Sequence, residues 1–375
     1  DDVTTHPATR EMIHTQAELF DLQHDPDLQD QLTYESPTSG ELVPIFYKLP
    51  ETREDLEARR NASKIFHEYT CGFGGRASDF LASGMAGLAI SADVFDAEGH
   101  QHGENVWKYY EHCRENDLCL THAIIDPQID RSSTGGSSFR LEGEAGHRPG
   151  ALRMVDDRDD GIVVSGARML ATLGPQADEV LIFPFGHHGE DDADEAIAFA
   201  LPIEAEGLRM ICRPSLSAND RRNHPLSSRM DEMDVFMVFD EVFVPEDRIF
   251  VKGNPDVAND WRHTAQPEYA THQTLTKDLA KMEFILGVAL LLAESTGIDE
   301  YFHVQAKLGE IAHTVQHVES GLWAMEAKAE EYGDSGYLVP DYVAGNATVG
   351  HFADLYRRCI DILQDLGGSG LVGIP

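Results

Sequence analysis

The sequence predicts an α+β protein: helices first, then a β domain, then a bundle of long helices. Three observations carry this. Ahead of about residue 120 the apolar residues keep helical spacing, as in Ala8 to Leu22 with Met12, Ile13, Ala17, Leu19 and Phe20. From about 130 to 255 the apolar runs are short and β-branched or aromatic, and Gly, Pro, Asp and Asn separate them. From about 264 the periodic segments become long: Thr274 to Ser295, Phe302 to Tyr332, and Tyr342 to Leu366, the last ended by Gly367-Gly368. The implied domains are 1–130, mainly helical; 131–255, β; and 256–375, a helical bundle.

Each element has its own signal. Thr52 followed by Asp55 resembles a capping signal ahead of a helix running to about His67. Residues 71–77 form a Gly-rich break, and Glu104 to Asp117 is another amphipathic helix. Strands are expected at Gly161 to Gly166, Val180 to Pro184, Ala196 to Leu201 and Val235 to Val244, in an antiparallel or sandwich-like domain. At the end of the last strand, Phe239, Val242 and Val244 are placed facing the core, with Pro245 closing the strand.

Charge narrows the function classes. Asp and Glu total 66 against 29 Lys and Arg, a formal net charge of -37. The acidity recurs in short bursts, such as Asp156-Asp157 with Asp159-Asp160, and is not one tail. Such a surface repels nucleic acid and anionic lipid headgroups, and it repels itself. The expectation is a protein adapted to high intracellular salt. Five cysteines at irregular spacing make no disulfide framework, which fits a reducing cytoplasm. The strongest apolar stretch, Phe284 to Ala293, is too short to span a bilayer, and no signal peptide is visible. The chain begins at Asp1 without Met and stops at Pro375, so further elements are expected past both ends.

Several motifs carry little. Gly72-Phe-Gly74-Gly-Arg-Ala77 and Gly368-Ser-Gly370-Leu-Val-Gly373 fit a dinucleotide template, but each follows an expected helix where that template needs a strand. His313 and His317 lie one helical turn apart without the Glu of a zinc-protease motif. Asp156 to Gly161 has Arg158 where a calcium ligand belongs. Cys113 and Cys119, placed on one helix, read as buried thiols. No metal site is expected.

Three segments carry chemistry. In Cys71-Gly-Phe-Gly-Gly-Arg76-Ala-Ser-Asp79-Phe80, an Arg at the start of a helix aims a cation into a cleft. In Asn116-Asp117-Leu-Cys-Leu-Thr121-His122-Ala-Ile-Ile-Asp126-Pro127-Gln128-Ile-Asp130-Arg131, a His on an apolar stretch runs into a polar cluster suited to a polar cofactor. In Gly166-Ala-Arg168-Met-Leu-Ala171-Thr172-Leu-Gly174-Pro175, a strand ends in a turn with a hydroxyl.

In this order and spacing the three segments resemble the 4-hydroxyphenylacetate 3-hydroxylase family, on an acyl-CoA dehydrogenase-like fold. Pro225-Leu-Ser-Ser-Arg229-Met-Asp231-Glu232, His272-Gln273, Ala280-Lys281-Met-Glu-Phe284 and Leu366 to Pro375 extend the resemblance over nearly the whole chain. It implies a monooxygenase that uses FADH2 from a separate NAD(P)H:flavin reductase. Oxygen adds to the flavin as a C4a-hydroperoxide, which hydroxylates a phenol ortho to its hydroxyl. It also implies a homotetramer. By resemblance Arg76 and His122 are catalytic and polarise the phenol, with Phe80, Phe185 and Gly186 beside the substrate. His122, Ala123, Ile124, Gln128, Ile129, Asp130, Arg131 and Thr172 would hold the flavin, Thr172 by a hydrogen bond to its ring.

The chain departs from the family where Tyr is usual and Phe80 stands, and at Phe185-Gly186, where small hydroxyl residues are expected near a substrate carboxylate. A more apolar phenol follows. Two alternatives share the fold. A 4-hydroxybutyryl-CoA dehydratase-like enzyme would hold an iron–sulfur cluster on three Cys and one His. Cys71 and His272 match two of those positions, and Gly75 and Leu279 stand at the others. An acyl-CoA dehydrogenase-like enzyme would hold FAD tightly.

The acidity generates the first test. The melting temperature should rise with added salt, and structure should be lost on dialysis into dilute buffer. A midpoint indifferent to salt would remove the idea.

Overall fold

The computed structural model of the chain describes residues 2–97, 100–129, 150–217 and 220–372. Helix α1 (Arg10–Asp21) buries Met12, Thr15, Gln16 and Leu19 along one face. The single turn α2 (Gln29–Leu32) leads into an antiparallel pair, β1 (Thr33–Glu35) and β2 (Leu42–Pro44). Helix α3 (Arg53–Tyr69) starts at the expected capping box, in which the Asp55 amide donates to Thr52 Oγ1 and the Thr52 amide donates to the Asp55 carboxylate. Cys71 and Gly72 then turn the chain at φ of 54° and 71°. A Cβ at Gly72 would lie 2.5 Å from that of Lys281, so this position needs glycine for conformation and for space. The Gly-rich break therefore ends a helix and follows no strand.

Helix α4 (Ser78–Ile90) is buried at every residue, as a helix apolar all round must be. The pair β3 (Asp96–Ala97) and β4 (His100–Gln101) precedes α5 (Gly103–Asn116), which stops where Asp117 takes φ 48°. Cys113 and Cys119 are both buried, but only Cys113 lies on α5. The helix expected to hold both ends before Cys119.

Strand β5 (Leu120–Ala123) is one of several elements that the sequence reading does not give. It is followed by β6 (Arg153–Arg158), β7 (Gly161–Thr172), β8 (Glu179–Ile182), β9 (Ile197–Pro202), β10 (Leu208–Cys212), β11 (Asp234–Pro245) and β12 (Ile249–Lys252). One sheet runs β10-β11-β7-β6, all antiparallel, and the other runs β12-β9-β8-β5. Within the second, β5 pairs parallel to β8, with His122 opposite Leu181. Ala123, Val164, Ile182, Phe199, Val235 and Met237 are among the residues that close one apolar core from both sheets.

The burial expected on β11 depends on a bulge. Strict alternation from Phe239 would bury residue 241 and expose residue 242. Pairing with β7 instead shifts register between Phe239 and Val242, with Glu241 at φ 52°. Phe239, Val242 and Val244 are thereby all buried, and Pro245 is the last residue of the strand.

After α6 (Pro255–Asp260) come α7 (Gln266–Thr296) and α8 (Phe302–Ala327). The expected helix to Tyr332 is shorter, because Glu330–Glu331 forms β13 against β14 (Leu338–Val339). The last helix, α9 (Tyr342–Val372), breaks at Gly368, at φ 29°, and resumes beyond it. No helix among the described residues is long and apolar enough to cross a membrane.

The chain divides into two compact units: Asp1–Tyr47 with Arg76–Gln266, and Lys48–Gly75 with Pro267–Pro375. The three-part division at 130 and 255 does not coincide with these. Strand β5 lies in the sandwich, so the helices around it share a unit with the sheets. Helix α3 goes instead with the C-terminal helices, where Arg60 pairs with Glu326 at 2.6 Å.

One buried pair pins the segment after β5. Arg168 on β7 forms an ion pair with Asp126, and both side chains are fully buried. The Met169 amide also donates to the Ile125 carbonyl at 2.8 Å. Burial pushes the Arg168 guanidinium down to about 10, opposed by Glu195. Removing one partner leaves an uncompensated charge, so Arg168→Met or Asp126→Leu alone should cost about 3–5 kcal/mol. The double variant should recover most of this in urea unfolding. Additive losses would contradict the pairing.

Candidate active site

Arg76 is the residue that ends the Gly-rich turn, two positions ahead of α4. Its backbone N–H donates to Glu232 Oε1 at 2.5 Å, which fixes where the side chain starts. The guanidinium lies 4.0 Å from the centroid of the Phe80 ring, one turn along, as a cation over an aromatic face. Phe80 is in turn 5.8 Å, centroid to centroid, from the His122 ring. These three side chains form a short stack: cation, aromatic ring, imidazole.

Strand alternation places His122 on the cavity side of β5 and puts Ala123 in the sandwich core. The cavity has a volume of about 230 Å³. Its walls are Leu81, Met85 and Leu88 from α4, Ile124 beyond β5, and Leu181 with Phe183 from β8 and its end. Trp261 closes one side, its ring 4.9 Å from that of Phe183 and its indole N–H donating to the Pro184 carbonyl at 3.0 Å. Arg76, His122 and Gln266 are the polar side chains in this lining.

Burial, reinforced by the Arg76 charge, pushes the His122 imidazole down from 6.5 to about 3. The ring is therefore neutral at physiological pH. Its Nδ1 is buried and has no hydrogen-bond partner among the described residues. A buried nitrogen left without a partner marks a place where a ligand completes the site.

The structure brings Arg76, Phe80, His122 and Ile124 together. Among the described residues, the other expected ones do not line this cavity. Gln128 is half-buried and Ile129 is exposed; Asp130 and Arg131 lie outside the described residues. Phe185 stacks under the Arg262 guanidinium at 4.5 Å, and Gly186 follows at φ 100°. Thr172 ends β7 beside β5, where its carbonyl accepts from Thr121 Oγ1 at 2.6 Å. Its own hydroxyl donates to Asp234 at 2.7 Å, so its oxygen remains an acceptor.

Sequence reasoning missed Phe183, Trp261, Gln266 and the positioning role of Glu232. The stretch ending Asp231-Glu232 carries part of the family resemblance and no assigned role. Burial alone would raise the carboxyl of its neighbour Asp231, but Arg213, the Leu216 amide and the Ser215 hydroxyl hold it below its usual value.

Comparisons with known proteins identify the family. Residues 1–251 match the family model "4-hydroxyphenylacetate 3-hydroxylase N terminal", and residues 258–375 match "4-hydroxyphenylacetate 3-hydroxylase C terminal". The chain belongs to the 4-hydroxyphenylacetate 3-hydroxylase family. It is 38% identical over 377 residues to the 4-hydroxyphenylacetate 3-monooxygenase oxygenase component of Thermus thermophilus, covering 100% of this chain and 75% of that protein. A crystal structure of such an oxygenase component, HpaB complexed with FAD, superposes with a TM-score of 0.90 at 39% identity, over 100% of this chain and 76% of the other.

Two more distant structures share the fold alone. Butyryl-CoA dehydrogenase from Megasphaera elsdenii gives a TM-score of 0.56 at 12% identity, covering 99% of this chain and 89% of its own. The 4-hydroxybutyryl-CoA dehydratase from N. maritimus gives 0.83 at 20%, covering 100% and 73%. At the positions that mattered for the dehydratase alternative, His272 bonds Glu326 at 2.9 Å and Leu279 packs in an apolar cluster. Among the described residues no group of three or more His, Cys, Asp or Glu is placed to hold a metal ion.

The neutral His122 has a consequence for stability. Its folded value lies below its unfolded value of 6.5, so between about pH 6.5 and 3 the unfolded chain binds a proton that the folded chain refuses. Stability contributed at neutral pH is lost as pH falls through that window. His122→Gln should therefore lose less stability than the native chain between pH 7 and pH 5 in urea unfolding. Parallel losses would show that the imidazole is not held neutral.

Proposed function

We propose that this chain is the oxygenase half of a two-component, FADH2-using monooxygenase that hydroxylates a phenol ortho to its hydroxyl. The observation that carries the reading is a guanidinium and a neutral imidazole, with one buried nitrogen unpartnered among the described residues, in a cavity whose lining is apolar apart from these two and Gln266. Phenols need that combination. The ring becomes a strong nucleophile as its oxygen approaches phenolate, and a cation beside that oxygen favours the charged form.

Arg76 supplies the charge. Stacking on Phe80 and the Glu232 bond to its backbone hold it in place. His122 supplies a neutral ring nitrogen that hydrogen-bonds the phenol oxygen. Apolar walls exclude water from the reacting ring. Relatives support the class. One neighbour is an HpaB complexed with FAD and 4-hydroxyphenylacetate, and a Rhodococcus relative, 30% identical, is a 4-nitrophenol 2-monooxygenase oxygenase component.

The residues also fit a flavin. Thr172 keeps an acceptor oxygen, and the reduced flavin ring presents N–H donors to such an oxygen. Ile124, Gln128, Ile129, Asp130 and Arg131 would complete its binding, with Ala123 offering backbone only. When bound, reduced FAD activates O2 and supplies the oxygen atom that enters the phenol. The flavin comes reduced from a separate NAD(P)H:flavin reductase, as the name "oxygenase component" in the relatives suggests. A homotetramer in a salt-rich cytoplasm completes the reading, the tetramer resting on family resemblance and the salt on the charge of -37.

The test is hydroxylation under 18O2 with FADH2 supplied, read by mass spectrometry of the product. The native chain should place one labelled oxygen in a catechol. His122→Ala should keep flavin binding and lose about 100-fold or more in product formation. Unchanged turnover in that variant would refute the assignment of His122.

A further inference from the structure

Gln266 lines the same cavity and has no task in the proposed hydroxylation. Its backbone N–H donates to Thr264 Oγ1, while its carboxamide makes no hydrogen bond to any described residue. Two glycines of α4 define where it sits. A Cβ on Gly87 would lie 2.6 Å from the Gln266 backbone nitrogen, so Gly87 lets this segment lie directly against the helix. A Cβ on Gly84 would lie 3.5 Å from Gln266 Nε2, which places the amide nitrogen beside Gly84.

Helix geometry then sets a distance. Arg76 and His122 gather around Phe80. Gly84 is one turn further along the same face, about 6 Å along the axis. That is roughly the span of a phenol from its oxygen to a para substituent. A phenol that lies along α4 with its oxygen at Arg76 and His122 would bring its para substituent to the Gln266 carboxamide.

We infer that Gln266 is a specificity-determining residue that reads an uncharged, hydrogen-bonding substituent para to the phenol hydroxyl. The inference rests on the monooxygenase reading above for its choice of phenol. The uncharged class follows from the lining. The guanidinium in it is committed to the phenol end, and an anion at the Gln266 end would be desolvated without a cation in the lining to meet it. The carboxamide offers both a donor and an acceptor, so a carboxamide, ketone or nitro group suits it and a methyl group leaves it unpaired.

Three probes decide the matter: 4-hydroxyphenylacetamide, 4-hydroxyphenylacetate and 4-methylphenol. Their kcat/KM values would be measured with FADH2 and O2. Their binding to the FADH2-loaded protein would be measured by calorimetry without oxygen. The native chain should favour the amide over both others. Gln266→Leu should lower the amide-to-methylphenol ratio about 10-fold in both measurements. A ratio unmoved by Gln266→Leu, or a native preference for the carboxylate, would overturn the inference. Should the phenols bind in the expected pattern while none is hydroxylated, the monooxygenase reading fails and the assignment of Gln266 stands.

Discussion

A charged guanidinium beside an imidazole that burial keeps neutral is the constraint around which the rest of this unit is arranged. Neither group would hold its state alone. Arg76 in water would swing freely, and His122 in water would titrate near 6.5. The Phe80 ring between them gives the cation an aromatic face, and the Glu232 bond to the Arg76 backbone fixes the point from which the side chain departs. The charge of Arg76 then disfavours a second positive charge on His122. The pair thus provides one cation and one neutral hydrogen-bonding ring to a phenol oxygen.

That arrangement depends on where β5 lies. Parallel pairing with β8 sets His122 opposite Leu181, turns its ring to the cavity, and sends Ala123 into the sandwich. Beyond β5 the chain leaves the sheet, and the Arg168–Asp126 pair with the Ile125–Met169 bond hold it against β7. The buried ion pair is costly to desolvate, so its contribution is better understood as fixing the path of the chain than as adding stability. Thr172, at the end of the same β7 strand, is brought beside β5 by the same pairing.

Local rules were legible in the sequence, and distant ones were not. The capping box at Thr52 and Asp55, the turn at 71–77 and the breaking of α9 at Gly368 each depend on residues within a few positions. The bundle helices showed their period, though β13 shortened α8. Strand β5 was hidden because four residues carry little alternation and its partner β8 lies far along the chain. Arg76 and His122 were legible through resemblance, since each sits in a stretch with its own pattern. Trp261, Phe183 and Gln266 carried no such pattern; they matter because the fold folds them back onto α4. The same holds for Glu232, whose carboxylate acts on a backbone distant in sequence.

The most direct test of the central claim mixes the protein anaerobically with FADH2 in high salt, admits oxygen, and follows the flavin absorbance. If this cavity shelters oxygen chemistry from water and presents a phenol to it, a spectrum distinct from both reduced and oxidised FAD should persist, and its decay should quicken when a phenol is added. Immediate conversion to oxidised FAD, at the rate seen without protein and indifferent to phenols, would contradict the account.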